Sequence, residues 1–410
     1  MSRPEDAFLD AAARIGAELC RDALWHGGRC NWLGSSLELA DGAVRVIERS
    51  WGPTLYDGTA GIGLFLARLF RRTGERLFAT TAAGAFAQAT SRSAAVPPAE
   101  RASFHSGWVG IAFAVLEAEQ VLGREELGEA GRRMLEDAAA ADPAAAGLDV
   151  IAGSASAVPA LLRLGRGESA ARHGERLLAA ASRGEDGWSW CTLSPEAQAA
   201  GAVRPDLCGF AHGAAGVAAA LVELGAAPGA GRYRAAAEQG FRYERRWFDP
   251  GRGNWPDLRR PGWREEDAAF RADWCHGAVG IGLSRLRAWE LSGGEACAAE
   301  AAAAVRATVR ALREERPERA DWSLCHGTAG RLELLLEARG LPGADEAAGL
   351  AGEIALRAIE RHHGEDEPWP CGVRGGGETP GLMLGLAGIG HLFLRLHDPA
   401  ATPSVLLLRT

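Results

Sequence analysis

Two hydrophobic patterns alternate along the chain. The first is a short run, apolar nearly all round, that opens each time on a G-x-x-G tetrad. Its seven copies start at Gly58 (DGTAGIGLFLA), Gly107 (HSGWVGIAFAVL), Gly153 (DVIAGSASAVPALL), Gly213 (AHGAAGVAAALVEL), Gly277 (CHGAVGIGLSRL), Gly327 (CHGTAGRLELLL) and Gly385 (LGLAGIGHLFLRL). Only the third departs, with Ser156 in place of the second glycine. First glycine to first glycine, the spacings are 49, 46, 60, 64, 50 and 58 residues, so the chain is an internal repeat. Helices that are apolar all round are buried ones.

The second pattern is alanine-rich and charged at helical spacing. It covers Asp6–Ala23, Glu129–Ala141, Glu168–Ser182, Arg232–Arg246, Glu295–Glu315 and Asp345–His362. Alanine, leucine, arginine and glutamate favour helix, and one polar face marks these helices as outer ones. Strand signals are nearly absent. An open solenoid needs polar capping repeats. The last run, Leu382–Leu396, is as apolar as the middle ones. The expectation is therefore an all-α fold: one domain, residues 1–410, closed as an α/α toroid of seven inner and seven outer helices. The inner-helix N-termini should ring a common cavity whose dipoles favour anions and thiolates. The long connections Gly184–Asp206 and Phe248–Asp273 should cover one face.

Composition narrows the chemistry. The net charge is −8 with no basic cluster, which argues against nucleic acid. No lysine occurs, so Schiff-base and P-loop lysine chemistry are excluded. No apolar run reaches the roughly 20 residues that span a bilayer, and the N-terminus is charged rather than a signal core. Eight dispersed cysteines suit a reducing cytoplasm better than a disulfide framework.

The candidate chemistry sits in Asp321-Trp322-Ser323-Leu324-Cys325-His326-Gly327, whose Cys-His-Gly is repeated in Asp273-Trp274-Cys275-His276-Gly277. Neighbouring side chains on a regular helix diverge by about 100° and do not share an ion; on a glycine-loosened loop they can. Thiolate and imidazole are zinc's preferred donors. Cys325, His326 and Cys275 make three ligands, one short of a closed tetrahedron, as in catalytic zinc sites. Cys208 or Cys371 would be the fourth ligand of a closed structural site instead. The carboxylates of Gly364-Glu365-Asp366-Glu367-Pro368 raise a competing class, since some α/α toroids are two-carboxylate glycosidases. That mechanism has no use for a Cys-His beside a Cys.

These repeats and the WCHG and CHG signatures resemble the lanthionine synthetase C family over nearly the whole chain. The likeness is to the C-terminal cyclase domain of class II lanthipeptide synthetases. It rests further on Trp25-His26-Gly27-Gly28-Arg29-Cys30-Asn31-Trp32-Leu33-Gly34, on Pro380-Gly381-Leu382-Met383, and on Pro403-Ser404-Val405-Leu406-Leu407-Leu408. Helical pattern begins within ten residues of Met1, so a freestanding cyclase is expected, with a separate dehydratase as partner.

The resemblance implies a cyclase with one zinc per chain that closes thioether rings in a dehydrated, ribosomally made precursor peptide. A peptide thiolate adds to dehydroalanine or dehydrobutyrine, and an acid protonates the enolate. It implies Cys275, Cys325 and His326 as ligands, His212 and Asp149 as an acid/base pair, and Arg271 or His276 as enolate-steadying or His212-positioning groups. Two variants of the reading share the resemblance: an idle peptide-binding scaffold, and addition of a glutathione-type thiol to dehydrated residues. Plainer roles stand beside these. Asp149 and Asp57 are helix caps on this view, Arg271 pairs with Asp273, Glu265 or Glu266, His212 satisfies a helix start, His276 and His391 pack, and His105 caps or packs.

Overall fold

Each glycine-led run becomes an inner helix in the computed structural model, which describes residues 4–40, 43–192, 204–259, 264, 268–315, 321–342, 344–365 and 367–409. The inner helices are α2 (Thr59–Thr73), α4 (Trp108–Leu122), α6 (Ser154–Arg163), α8 (Ala214–Gly225), α10 (Ala278–Ser292), α12 (Thr328–Glu337) and α14 (Leu386–His397). The outer helices are α1 (Pro4–Arg21), α3 (Arg76–Ser91), α5 (Glu125–Ala140), α7 (Gly167–Ala179), α9 (Gly231–Trp247), α11 (Glu295–Glu314) and α13 (Asp345–Ile359). Patterning explains the division. Every residue of α8 is buried, whereas α5 buries one stripe: Leu127, Gly128, Gly131, Met134, Leu135 and Ala138.

Each inner helix packs against the next around the axis, and α14 returns to α2, so the ring is closed. Through the first six repeats the inner helix packs on the outer helix that follows it. Among the described residues no outer helix follows the last inner helix. Its partner is α1, from the other end of the chain, with Phe8 stacked on Phe393 at 6.3 Å between ring centroids. Chain ends thus close the toroid.

Buried ion pairs staple the layers, and every cation in them is an arginine. Arg285 of α10 and Glu244 of α9 meet at 2.8 Å with both side chains at 0% exposure. Breaking such a pair is costly because it strands a buried charge. Glu244 also accepts the backbone N–H groups of Gly209 and Ala215, at 2.9 and 3.0 Å, and so clamps the loop between them.

The fold is mostly helical, as expected, with a few small strands that the helical spacing does not place. The described residues include four two-stranded antiparallel sheets. The longest pairs β3 (Leu33–Ala40) with β4 (Ala43–Ser50), Leu37 opposite Val46 and Ser35 opposite Glu48. Its alternation is period two, but it buries little: Leu33, Leu37, Val44 and Val46 are exposed. A reading keyed to buried runs and helical spacing passes over it. Before it lies a short hairpin, β1 (Leu24–His26) and β2 (Arg29–Asn31), turned by Gly27 and Gly28 at φ 55° and 75°. Two glycines at positive φ are what a tight two-residue hairpin turn requires.

The tetrad glycines answer to backbone crowding. In the six copies that keep the second glycine, a Cβ there would stand 1.6–2.2 Å from the carbonyl oxygen six residues earlier. The tightest is Gly110 against Phe104. Gly110→Ala is therefore expected to cost about 1–3 kcal/mol by overpacking. Gly349 lies on the open face of α13, where an added methyl would meet nothing within 4 Å, and Gly349→Ala should stabilise by about 0.5–1 kcal/mol. Urea unfolding of the two variants beside the wild type checks both signs.

Candidate active site and metal centre

In all seven repeats the first helical N–H donates to the carbonyl seven residues back: Thr59 to Gly52, Trp108 to Arg101, Ser154 to Gly147, Ala214 to Leu207, Ala278 to Arg271, Thr328 to Asp321 and Leu386 to Thr379. Each repeat thus presents the same closed loop at the same end of the toroid. The inner helices start on glycine caps with no side-chain cap bond.

The loops are also joined to one another in a circle. Tyr56 N–H donates to His105, Ser106 to Ile151, Val150 to Ala211, Ala211 to Cys275, Cys275 to Cys325, Cys325 to Met383 and Met383 to Tyr56, at 2.8–3.2 Å. This hydrogen-bonded circle fixes which side chains meet. Two residues before the first glycine stand Tyr56, His105, Ile151, Ala211, Cys275, Cys325 and Met383; one before it stand Asp57, Ser106, Ala152, His212, His276, His326 and Leu384.

Cys275 and Cys325 occupy equivalent positions in adjoining loops, and the circle brings them side by side. One ligand atom from each of Cys275, Cys325 and His326 lies within 4.8 Å of the others. Among the described residues no other His, Cys, Asp or Glu joins this cluster. Cys208 is buried elsewhere, beside Glu244, and Cys371 accepts the Thr379 N–H at 3.5 Å. The cluster therefore offers three ligand atoms among the described residues.

The donors fit a thiophilic cation. His326 Nε2 donates to the Gly372 carbonyl at 3.0 Å, which leaves Nδ1 free as a ligand atom. The hydrogen bond with Cys325, and then burial, push the Cys275 thiol well above its usual range. Burial alone would lower His326, but Cys275 and the Asp321 carboxylate raise it to about 9. Two buried sulfurs beside an imidazole are a donor set that a soft divalent ion completes.

Asp149 and His212 come together as the resemblance implies. His212 Nδ1 donates to Asp149 Oδ2 at 2.6 Å. Asp149 is not a helix cap: Gly153 occupies that position, and Asp149 Oδ1 instead accepts the Ala152 N–H at 2.9 Å. Nor is Asp57, whose Oδ1 accepts the Thr54 hydroxyl and whose Oδ2 accepts Arg49. Serine at position 156 leaves the pair intact. The third loop is one residue out of register in the circle, and the Ser156 hydroxyl accepts the Phe104 N–H at 3.0 Å.

His276 stacks on His212 at 5.9 Å between centroids. It is 1% exposed, and neither ring nitrogen has a partner among the described residues. Burial and the nearby Arg259 depress it to about 3, so it is a neutral imidazole. Its glycine neighbour, Gly277, has φ +88° and lies where a Cβ would meet the Arg271 carbonyl at 1.9 Å. Arg271 is half-exposed and pairs with Asp257 at 3.1 Å and Asp273 at 3.6 Å; Glu265 and Glu266 lie outside the described residues. His391 is core, against Arg68. Glu367 is paired with Arg361 on the surface, and Asp366 lies outside the described residues.

Two site residues were not singled out from sequence. The Tyr56 hydroxyl donates to Cys325 Sγ at 3.0 Å, and burial, then the Cys325 sulfur, keep it protonated. Arg259 grips Asp257 and is felt electrostatically at Cys275 and His276. Tyr56 has a retrievable signal, since it stands in the first repeat where Cys275 and Cys325 stand in theirs. Arg259 lies in a connection, outside any repeat.

A closed α/α toroid with a Cys₂His cluster at the meeting of its loops defines a metal-ready helical barrel. The chain belongs to the lanthionine synthetase C-like family, whose model matches residues 49–407. Among solved structures it is similar to nisin cyclase, at 17% identity over 86% of this chain and 91% of that one, with a TM-score of 0.64. It is also similar to the unsaturated glucuronyl hydrolase of Bacillus sp. GL1 (15% identity, 99% and 100% covered, TM-score 0.53). A third is an inactive variant of the α-1,6-mannanase of Salegentibacter sp. HEL1_6 (10% identity, 96% and 99% covered, TM-score 0.51). At these identities the likeness is one of fold. Among curated proteins none matches this sequence.

Two buried histidines give the toroid an acid-sensitive core. Burial lowers His105 and His173 to about 4 each. The unfolded chain takes up these protons near pH 6.5. Their contribution is thus complete above pH 6.5 and is lost as pH falls toward 4, at up to about 1.4 kcal/mol per pH unit for each. Urea unfolding between pH 7 and 4 should show that slope, and His173→Gln should reduce it.

Proposed function

We propose that this protein is a zinc-dependent peptide cyclase. It joins cysteine thiols to dehydroalanine or dehydrobutyrine in a ribosomally made precursor, giving lanthionine or methyllanthionine rings. The observation that carries the reading is the pairing of a three-ligand Cys275–Cys325–His326 cluster with the His212–Asp149 pair, in a member of the lanthionine synthetase C-like family. An idle scaffold would have no need of both.

Cys275, Cys325 and His326 would hold one zinc. Zinc there would supply positive charge that favours the thiolate form of a peptide cysteine at neutral pH. The chain's own groups do the rest. Tyr56, donating to Cys325, keeps that sulfur from competing as a nucleophile. Asp149 holds Nδ1 of His212, so Nε2 handles the proton. His212 Nε2 takes the thiol proton; sulfur adds to the β-carbon as the C=C bond opens; the same Nε2 returns the proton to the α-carbon. We assign neutral His276, stacked and without a partner, to holding the His212 ring. Arg271, with Arg259 nearby in the same charged wall, is assigned to the negative charge on the enolate oxygen.

The substrate must arrive dehydrated, so we place a separate dehydratase before this step. All eight cysteines are free, which supports a reducing compartment, the cytoplasm. No helix of the described residues is long and apolar enough to cross a membrane.

Metal content and turnover test the reading together. The wild type should carry about one zinc per chain by plasma emission, and Cys275→Ala, Cys325→Ala and His326→Ala should lose both zinc and thiol consumption from a dehydrated, cysteine-containing peptide. Zinc without ring closure on any such peptide points to a scaffold; no zinc, and none taken up on addition, ends the mechanism. His212→Asn and Asp149→Asn should keep the zinc and lower kcat by about 10²–10⁴-fold, the usual size of an acid–base contribution.

A further inference from the structure

The Trp25-His26-Gly27-Gly28-Arg29-Cys30-Asn31-Trp32 stretch has no part in the chemistry above, yet it is firmly anchored. Trp25 lies over Gly84, where a Cβ would meet its ring at 2.6 Å. Cys30 Sγ donates to the Thr81 carbonyl at 3.4 Å, and the Trp32 indole N–H to Leu19 at 2.7 Å. Asn31 donates to the Trp51 carbonyl at 3.0 Å and accepts its N–H at 3.3 Å. The anchoring holds the tip of the hairpin, His26 and Arg29, over a groove of about 580 Å³ shared with β4 and the end of α3.

That groove is basic in a chain of net charge −8. Arg29, Arg49, Arg92 and His26 line it, and no carboxylate does. Arg29 and Arg92 have no ion-pair partner among the described residues, whereas the buried arginines Arg68, Arg285 and Arg395 are each held by a glutamate. The indole N–H of Trp51, a buried lining residue, has no acceptor among the described residues.

The groove opens at the site's end of the toroid. Arg92 follows the last residue of α3, and its neighbour Ser93 accepts the indole N–H of Trp108, the first residue of inner helix α4, at 2.8 Å. On the other side Arg49 reaches Asp57 at 2.9 Å. Asp57 adjoins Tyr56, whose hydroxyl touches Cys325. The groove and the Cys275–Cys325–His326 cluster are thus linked through Arg49, Asp57 and Tyr56.

We propose that this groove binds a carboxylate-rich segment of the peptide substrate, remote from its reacting cysteine. The proposal rests on the cyclase reading for the identity of the peptide. Arginine forks suit paired carboxylate oxygens, and holding the peptide at a second point raises the effective concentration of its thiol at the cluster.

The test is a binding measurement that needs no turnover. The probe is a dye-labelled peptide of twelve residues, alternating glutamate and serine, without cysteine, followed by fluorescence anisotropy. R29E/R92E should weaken binding by about tenfold or more. R133E/R313E, which makes the same change in net charge on exposed outer-helix positions, should change it by less than about twofold. Circular dichroism checks that both variants are folded. Equal weakening in the two, or equal binding of a glutamine–serine peptide by the wild type, overturns the proposal. So does tighter binding of a single-stranded RNA of the same length. Because the probe has no thiol, failure of ring closure leaves this result standing, and failure here leaves the metal and turnover tests untouched.

Discussion

The circle of backbone hydrogen bonds that links the seven inner-helix loops is the constraint on which the site depends. Each loop is closed on itself by one bond, from the first helical N–H to the carbonyl seven residues back. Each is then tied to the next, and the seventh to the first. A closed circle has no frayed edge to adjust, so equivalent positions in successive loops are held at fixed separations. The tetrad glycines exist to permit it, because a Cβ at the second glycine would run into the loop's own carbonyl.

Given the circle, the candidate metal centre needs little else. Cys275 and Cys325 are the same loop position in neighbouring repeats, and the bond from Cys275 N–H to the Cys325 carbonyl sets them side by side. His326 adds its Nδ1 because Gly372 holds its other nitrogen. The His212–Asp149 pair uses the same geometry one repeat further along, with His212 in the position His326 and His276 occupy in theirs. It is completed by Asp149 from the one loop that is out of register. The outer layer contributes too: Glu244 of α9 clamps the loop that carries His212, and Arg285 neutralises that buried carboxylate.

The same barrel appears in a glucuronyl hydrolase and a mannanase as well as in nisin cyclase. Fold does not carry the chemistry; the residues at the loop circle do. Here those residues are sulfur and imidazole, and the described carboxylates of the stretch that raised a glycosidase reading, Glu365 and Glu367, do not enter the cluster.

Much of this was legible in one dimension, for a physical reason. A repeat writes its three-dimensional symmetry into the spacing of its glycines, and a helix buried on all sides must be apolar on all sides. The inner and outer helices, the closure and the Cys275–Cys325–His326 set follow from that. What crosses the repeat was not legible. The pairing of α1 with α14, the β3–β4 hairpin, the slip in the third loop, Tyr56 reaching Cys325 and Arg259 reaching toward His276 all join segments far apart in sequence or outside the period. Local pattern determines which face of a segment is buried. Only the closed toroid decides what that face meets.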